Sequence, residues 1–91
     1  MFVVVSYDIE DDKKRFKVAQ IFENYGTRVQ YSVFECIINE QQLKEIKEKT
    51  KNIIDKEKDS IRFYIICESC LKKIEIIGIG EVTKDLDFYI I

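Results

Sequence analysis

The chain has 91 residues, 46% of them hydrophobic and 35% charged, with a net charge of −2 and an isoelectric point near 5.2. That length supports one domain, residues 1–91, with a modest core, and the apolar runs are far too short to span a bilayer. His is absent, which removes the commonest general base and transition-metal ligand and leaves chemistry to carboxylates, Lys, Tyr, Ser, Cys or a hard metal ion held by oxygen. No basic n-region precedes the first apolar stretch, so a signal peptide is not expected and a cytoplasmic location is the default. The acidic balance weighs slightly against non-specific nucleic-acid binding. The strands carry more apolar residues than one small core needs, which points to homo-oligomerisation.

The first predicted strand is Met1 to Ile9, MFVVVSYDI. Phe2 to Tyr7 are apolar apart from Ser6, so the run can be buried on both faces. Asp8 is a single carboxylate where the strand should end. Ser6 shares its face, and Tyr7 points to the other, as a core or interface residue. Read from the residues alone, Asp8 starts a polar loop or caps a helix, because Glu10, Asp11 and Asp12 follow at once. Those three suit the positive end of the helix that Asp11 or Asp12 begins. That helix runs to about Tyr25, with Val18, Ala19, Phe22 and Tyr25 on one stripe led by Arg15, and Phe16 off it. Gly26 stands where a helix C-terminal glycine is expected.

Thr27 to Ile38 is β-rich and too long for one flat strand. It reads as two short strands, or as one bent near Tyr31 and Ser32. Asn39 caps a second helix with Gln42 as capping-box partner, and this helix frays out near Glu57. Its inner stripe is Leu43, Ile46, Thr50, Ile53 and Ile54. Its outer face alternates Lys and Glu and reads as a solvated surface. Ser60 to Ile66 is a third major strand. Glu68 to Lys73 makes a turn or a single helical turn, and Ile74 to Ile79 reads as another strand. Glu81 to Asp85 connects to Leu86–Ile91, an apolar tail expected to add a strand to a partner's sheet edge.

The three Cys are Cys36, Cys67 and Cys70. An odd count argues against a disulfide framework, and Cys67-Glu68-Ser69-Cys70 is only half of a structural zinc site. These two read as buried or half-buried thiols at a strand-to-turn corner. The element order is β-α-β-β-α-β with extra C-terminal strands, an α+β ferredoxin-like plan with both helices on one face of an antiparallel sheet. A second copy stacking sheet-to-sheet is the simplest cover for the other face. The fold itself does not specify activity.

The stretches VVVSYDIEDDKKRFKVAQIFENYG, Val3 to Gly26, and TRVQYSVFEC, Thr27 to Cys36, resemble the family of CRISPR-associated protein two, the small partner of the spacer-acquisition integrase. The Tyr7-Asp8 pair, the basic turn Lys13 to Lys17 and the block from Gly26 to Glu35 carry the resemblance, which covers essentially the whole chain. It implies a homodimeric endonuclease dependent on Mg²⁺, or on Mn²⁺ in its place. Asp8 from both copies would then be the metal ligand and catalytic residue. One carboxylate is a poor Mg²⁺ site, and dimer symmetry would supply it twice. The resemblance reverses the preference for Asp8 as a mere loop residue. The nuclease would act on RNA or double-stranded DNA, and the resemblance also implies a second role, a scaffold that bridges the CRISPR integrase and holds a DNA duplex. Arg15, Lys17 and Arg28 are the candidate phosphate contacts, though they need not form one patch within a monomer. Phe34 is a candidate interface or positioning residue, with core as its commoner role. Without the resemblance, the residues also suit a small ferredoxin-like dimer with no enzyme activity.

Overall fold

β1 spans Phe2–Asp8 in the structure, a computed structural model that describes residues 1–84. It ends on the carboxylate where the apolar run stops. α1 follows over Asp12–Glu23. Asp11 caps it by accepting a hydrogen bond from the Lys14 backbone N–H at 2.9 Å, which satisfies one of the free amides of the first turn. α1 ends two residues earlier than the periodicity predicts, with Asn24 as its C-cap. Gly26 therefore does not close the helix. It opens β2, Gly26–Gln30, where a Cβ would collide with the Glu35 carbonyl oxygen and the Cys36 sulfur. The need for glycine here is close strand packing.

The long β-rich stretch is a hairpin. β2 pairs antiparallel with β3, Val33–Ile37, through a turn at Tyr31 and Ser32 and a register shift between Arg28 and Gln30. α2, Glu40–Lys51, carries the expected capping box. Asn39 and Gln42 exchange hydrogen bonds of 2.9 and 2.8 Å. α2 stops at Lys51 and does not reach Glu57. Asp55 and Asp59 offer the backbone an alternative there. The Asp55 N–H donates to the Asp59 carboxylate at 2.9 Å, and the Asp59 N–H to the Asp55 carbonyl at 2.7 Å. β4 is Ser60–Ile66, and the single turn α3 is Glu68–Leu71.

The sheet order is β2-β3-β1-β4 with antiparallel neighbours throughout. This is the ferredoxin-like arrangement. β1 lies in the middle, with Val5 opposite Phe34 on one side and Phe63 on the other. Alternation sends Val3, Val5 and Tyr7 to the helix side, where they join Phe34 and Cys36 of β3, Val18 and Phe22 of α1, and Leu43 and Ile46 of α2. Full burial of each large side chain contributes about 1.5–3 kcal/mol. Thr50 is the one buried polar residue of α2, and its hydroxyl donates to the Ile46 carbonyl at 2.8 Å, so its burial leaves no unpaired group.

The strand expected over Ile74–Ile79 does not form. Gly78 and Gly80 adopt φ of +100° and +132°, which breaks a regular ladder, and Ile77 and Ile79 stand fully exposed. The segment crosses towards the β2 side instead. The Thr83 hydroxyl and N–H donate to the Glu35 carboxylate at 2.7 and 3.2 Å, beside a cleft of about 700 Å³ that Thr27, Val29 and Ile76 help to line. The tail strand expected over Leu86–Ile91 lies outside the described residues. Among the described residues, no helix is long and apolar enough to cross a membrane.

Candidate functional site

Asp8 is exposed at the last position of β1 and sits opposite Ser60 of β4. Its neighbours in the strand are among the best buried residues of the chain, so the backbone that presents the carboxylate is rigid. Among the described residues, no side-chain hydrogen bond or ion pair engages the Asp8 carboxylate. Ser6, two residues before it, shares its face, as alternation requires.

The loop that leaves Asp8 is held at two points. Arg15 of α1 reaches back, and its Nη1 donates to the carbonyls of Ile9 at 3.1 Å and Glu10 at 3.3 Å. The same guanidinium forms an ion pair with Asp12, and this carboxylate raises the Arg15 pKa above its ordinary value. From the other side, the Asp59 carboxylate accepts from the Glu10 N–H at 3.4 Å while also holding Asp55. Arg15 therefore positions the chain just after Asp8, a role that reading it as a phosphate contact missed. Asp59 was not singled out in the sequence either. Its only local signal is the Asp-Ser step that ends a polar loop.

Arg15 and Arg28 line one depression together with Asp12, Phe16 and Tyr31. The sequence left open whether these two cations meet within one chain. The hairpin brings them together by returning β2 alongside α1. Arg28 lies 5.2 Å over the Phe34 ring and 3.7 Å from Glu23. Phe16 and Tyr31 are 65% and 76% exposed, so the depression combines cations with two exposed rings, the Tyr31 side chain being hydrogen-bonded with Arg15. Lys17 stands apart, on a different flank of α1, with Gln20, Glu23 and Ile53.

Tyr7 and Phe34 are core residues, and the interface role suggested for them is corrected. Phe34 is fully buried, and Tyr7 is 5% exposed. Their rings lie 6.3 Å apart, and Phe22 packs 5.8 Å from Tyr7 and 5.6 Å from Phe34. Both side chains point to the helix face, which leaves Phe34 no surface to offer a partner and Tyr7 only the small edge that reaches the depression lined by Arg15 and Arg28.

A divalent hard cation needs about six oxygen ligands, several of them water. Among the described residues, no group of three or more His, Cys, Asp or Glu comes together to hold one. Asp8 supplies the right kind of donor, an exposed carboxylate with no competing cation, but only one of them. Within a single chain, one carboxylate falls well short of that donor set.

Comparison with known proteins follows the same lines. The family model described as CRISPR associated protein Cas2 matches residues 1–74. The CRISPR-associated endoribonuclease Cas2 3 of Chloroflexus aurantiacus is 41% identical over 91 residues, covering 100% of this chain and 98% of that protein. The crystal structure of Streptococcus pyogenes Cas2 at pH 6.5 superposes with a TM-score of 0.76 and 37% identity, over 86% of this chain and 100% of that one. A chain in a partial Cas6-RT-Cas1–Cas2 complex superposes with a TM-score of 0.74 and 27% identity, over 92% and 95% of the two chains.

Proposed function

The chain belongs to the CRISPR-associated Cas2 family, and from that premise we propose that it is a divalent-metal-dependent endonuclease whose centre forms where two copies bring their Asp8 carboxylates together. The observation that carries this reading is the incomplete donor set at the end of β1. An exposed carboxylate on a rigid strand, with no side-chain partner among the described residues, has a shortfall of donors that a two-fold axis would make up. The other face of the sheet favours such pairing, because Val4, Val33 and Ile37 lie on it half-buried and, among the described residues, away from α1 and α2.

Bound Mg²⁺ or Mn²⁺ would supply a Lewis acid that neutralises charge on a scissile phosphate of RNA or duplex DNA. Asp8 holds the ion. Arg15 keeps the Ile9–Glu10 segment in place so that the carboxylate keeps its direction. Arg28, with the exposed rings of Phe16 and Tyr31, tracks the nucleic-acid backbone in a sequence-tolerant way, and Lys17 extends the track along the other flank of α1. The related chain found in a complex with Cas1 supports an integrase subunit as partner and spacer acquisition as the setting.

The test is cleavage of labelled RNA and of duplex DNA by the purified protein, with Mg²⁺ and with chelator. Wild type cleaves at least one substrate only with metal, while Asp8→Asn loses roughly a hundredfold or more of the rate. Equal cleavage by both proteins would overturn the assignment of Asp8. If Asp8→Asn is inactive yet still supports spacer acquisition with the integrase, the scaffold role is separable from cleavage.

A further inference from the structure

Cys67 and Cys70 are both exposed, whereas Cys36 is buried. The sequence suggested buried or half-buried thiols, and the correction matters because exposed thiols can react. Cys67 is the N-cap of α3, and Cys70 is the third residue of that turn. The turn is real, since the Leu71 N–H donates to the Cys67 carbonyl at 2.8 Å. In helical geometry, residues three apart have Cα atoms about 5 Å from each other, inside the roughly 4.4–6.8 Å that a disulfide accepts. The Cys67 sulfur also lies 3.2 Å from the Ser69 hydroxyl.

We propose that Cys67 and Cys70 are a redox-active dithiol that low-molecular-weight disulfides convert to an intramolecular disulfide. The Cys67 thiolate attacks one sulfur of the small disulfide, forms a mixed disulfide and expels one thiolate. The Cys70 thiol then loses its proton to solvent and attacks the Cys67 sulfur, expelling the second small thiolate. Two protein thiols are oxidised to one disulfide, and one small disulfide is reduced to two thiols. A small dithiol reverses both steps.

The environment assigns the two sulfurs different parts. A hydrogen bond from the Ser69 hydroxyl, joined by one from the Cys70 backbone N–H, lowers the Cys67 thiol to about 7. Proximity to Cys67 raises Cys70, which suits a resolving thiol that stays protonated until needed. Burial pushes Cys36 up to about 11, which keeps it out of the exchange. Lowering a thiol by two units raises its thiolate fraction at neutral pH about fiftyfold, but the weaker nucleophile gives back most of that gain. The net advantage of Cys67 is roughly fivefold. The bond would close the turn that redirects the chain from β4 towards the Thr83–Glu35 tie.

The experiment incubates the full chain with excess oxidised glutathione and follows each cysteine by alkylation and intact mass. Wild type should lose two of its three alkylatable thiols with no lasting adduct and recover both with dithiothreitol. Cys70→Ser should keep a stable mixed disulfide on Cys67. Cys67→Ser should react roughly fivefold more slowly at pH 7. In the fully reduced wild type, alkylation of Cys67 should rise with pH to half its maximum near pH 7. A lasting adduct on wild-type Cys67, equal rates in wild type and Cys67→Ser, or stoichiometric zinc that blocks both thiols until chelated would overturn the proposal.

Discussion

On the helix side of β1, Val3, Val5 and Tyr7 are at most 5% exposed and sit among Phe22, Phe34 and Ile46. On the other side of the same strand, Val4 and Ser6 are half-buried and Asp8 is exposed. These residues alternate along one backbone, with the same strand neighbours and the same rigidity. What differs is the cover. α1 and α2 complete the first face within the chain, so its side chains serve stability. Among the described residues the second face lies under neither α1 nor α2: Phe2 is still buried on it and Glu35 is tied to Thr83, while Val4, Ser6 and Asp8 keep exposed surface. A substitution on one face should therefore move folding and leave chemistry alone, and a substitution on the other should do the reverse.

Phe22→Ala tests the first half of that contrast most severely. Phe22 is fully buried at the centre of the aromatic cluster, so its truncation should cost about 3–5 kcal/mol in denaturant unfolding. A loss below ~1 kcal/mol would mean that the helix face is not the main core. Asp8→Asn is the counterpart on the open face. Its activity should fall as stated above, while its unfolding free energy should stay within about 0.5 kcal/mol of wild type, because the carboxylate has no partner to lose among the described residues. A large destabilisation would return Asp8 to a structural role.

Arg28→Ala lies at the border between the two faces, at the edge strand and over Phe34. It should weaken nucleic-acid binding almost uniformly across sequences and lower the salt dependence by about one unit of slope. An unchanged salt slope would remove Arg28 from the backbone track. Arg15→Lys sharpens the distinction from a plain charge. Lys keeps the cation but cannot bridge the Ile9 and Glu10 carbonyls and Asp12 together. It should retain the salt slope and lose cleavage rate. The smallest effect belongs to Asn39→Ala, which removes the capping box of α2. That should cost about 1 kcal/mol in stability with no change in activity.

The pattern of residues along the chain already specified β1 and its terminal carboxylate, the cap Asn39 and β4 over Ser60–Ile66, and it narrowed the first cap to Asp11 or Asp12 and the β-rich stretch to two short strands or one bent near Tyr31 and Ser32. Local rules suffice for these: alternation, helical spacing and side chains that reach their own backbone. The family could be seen as well, because the blocks from Val3 to Gly26 and from Thr27 to Cys36 are contiguous. Only the tertiary structure decided the rest. Tyr7 and Phe34 became core because both helices lie on their face. Arg15 and Arg28 met because the hairpin returns beside α1, and Gly26 proved to be a packing requirement of β3. Arg15, a candidate phosphate contact in the sequence, proved also to clamp the loop after Asp8. Cys67 and Cys70 came out exposed on α3, a single turn that buries none of its residues. Each of these depends on which surfaces meet, and residues far apart in the chain settle that together.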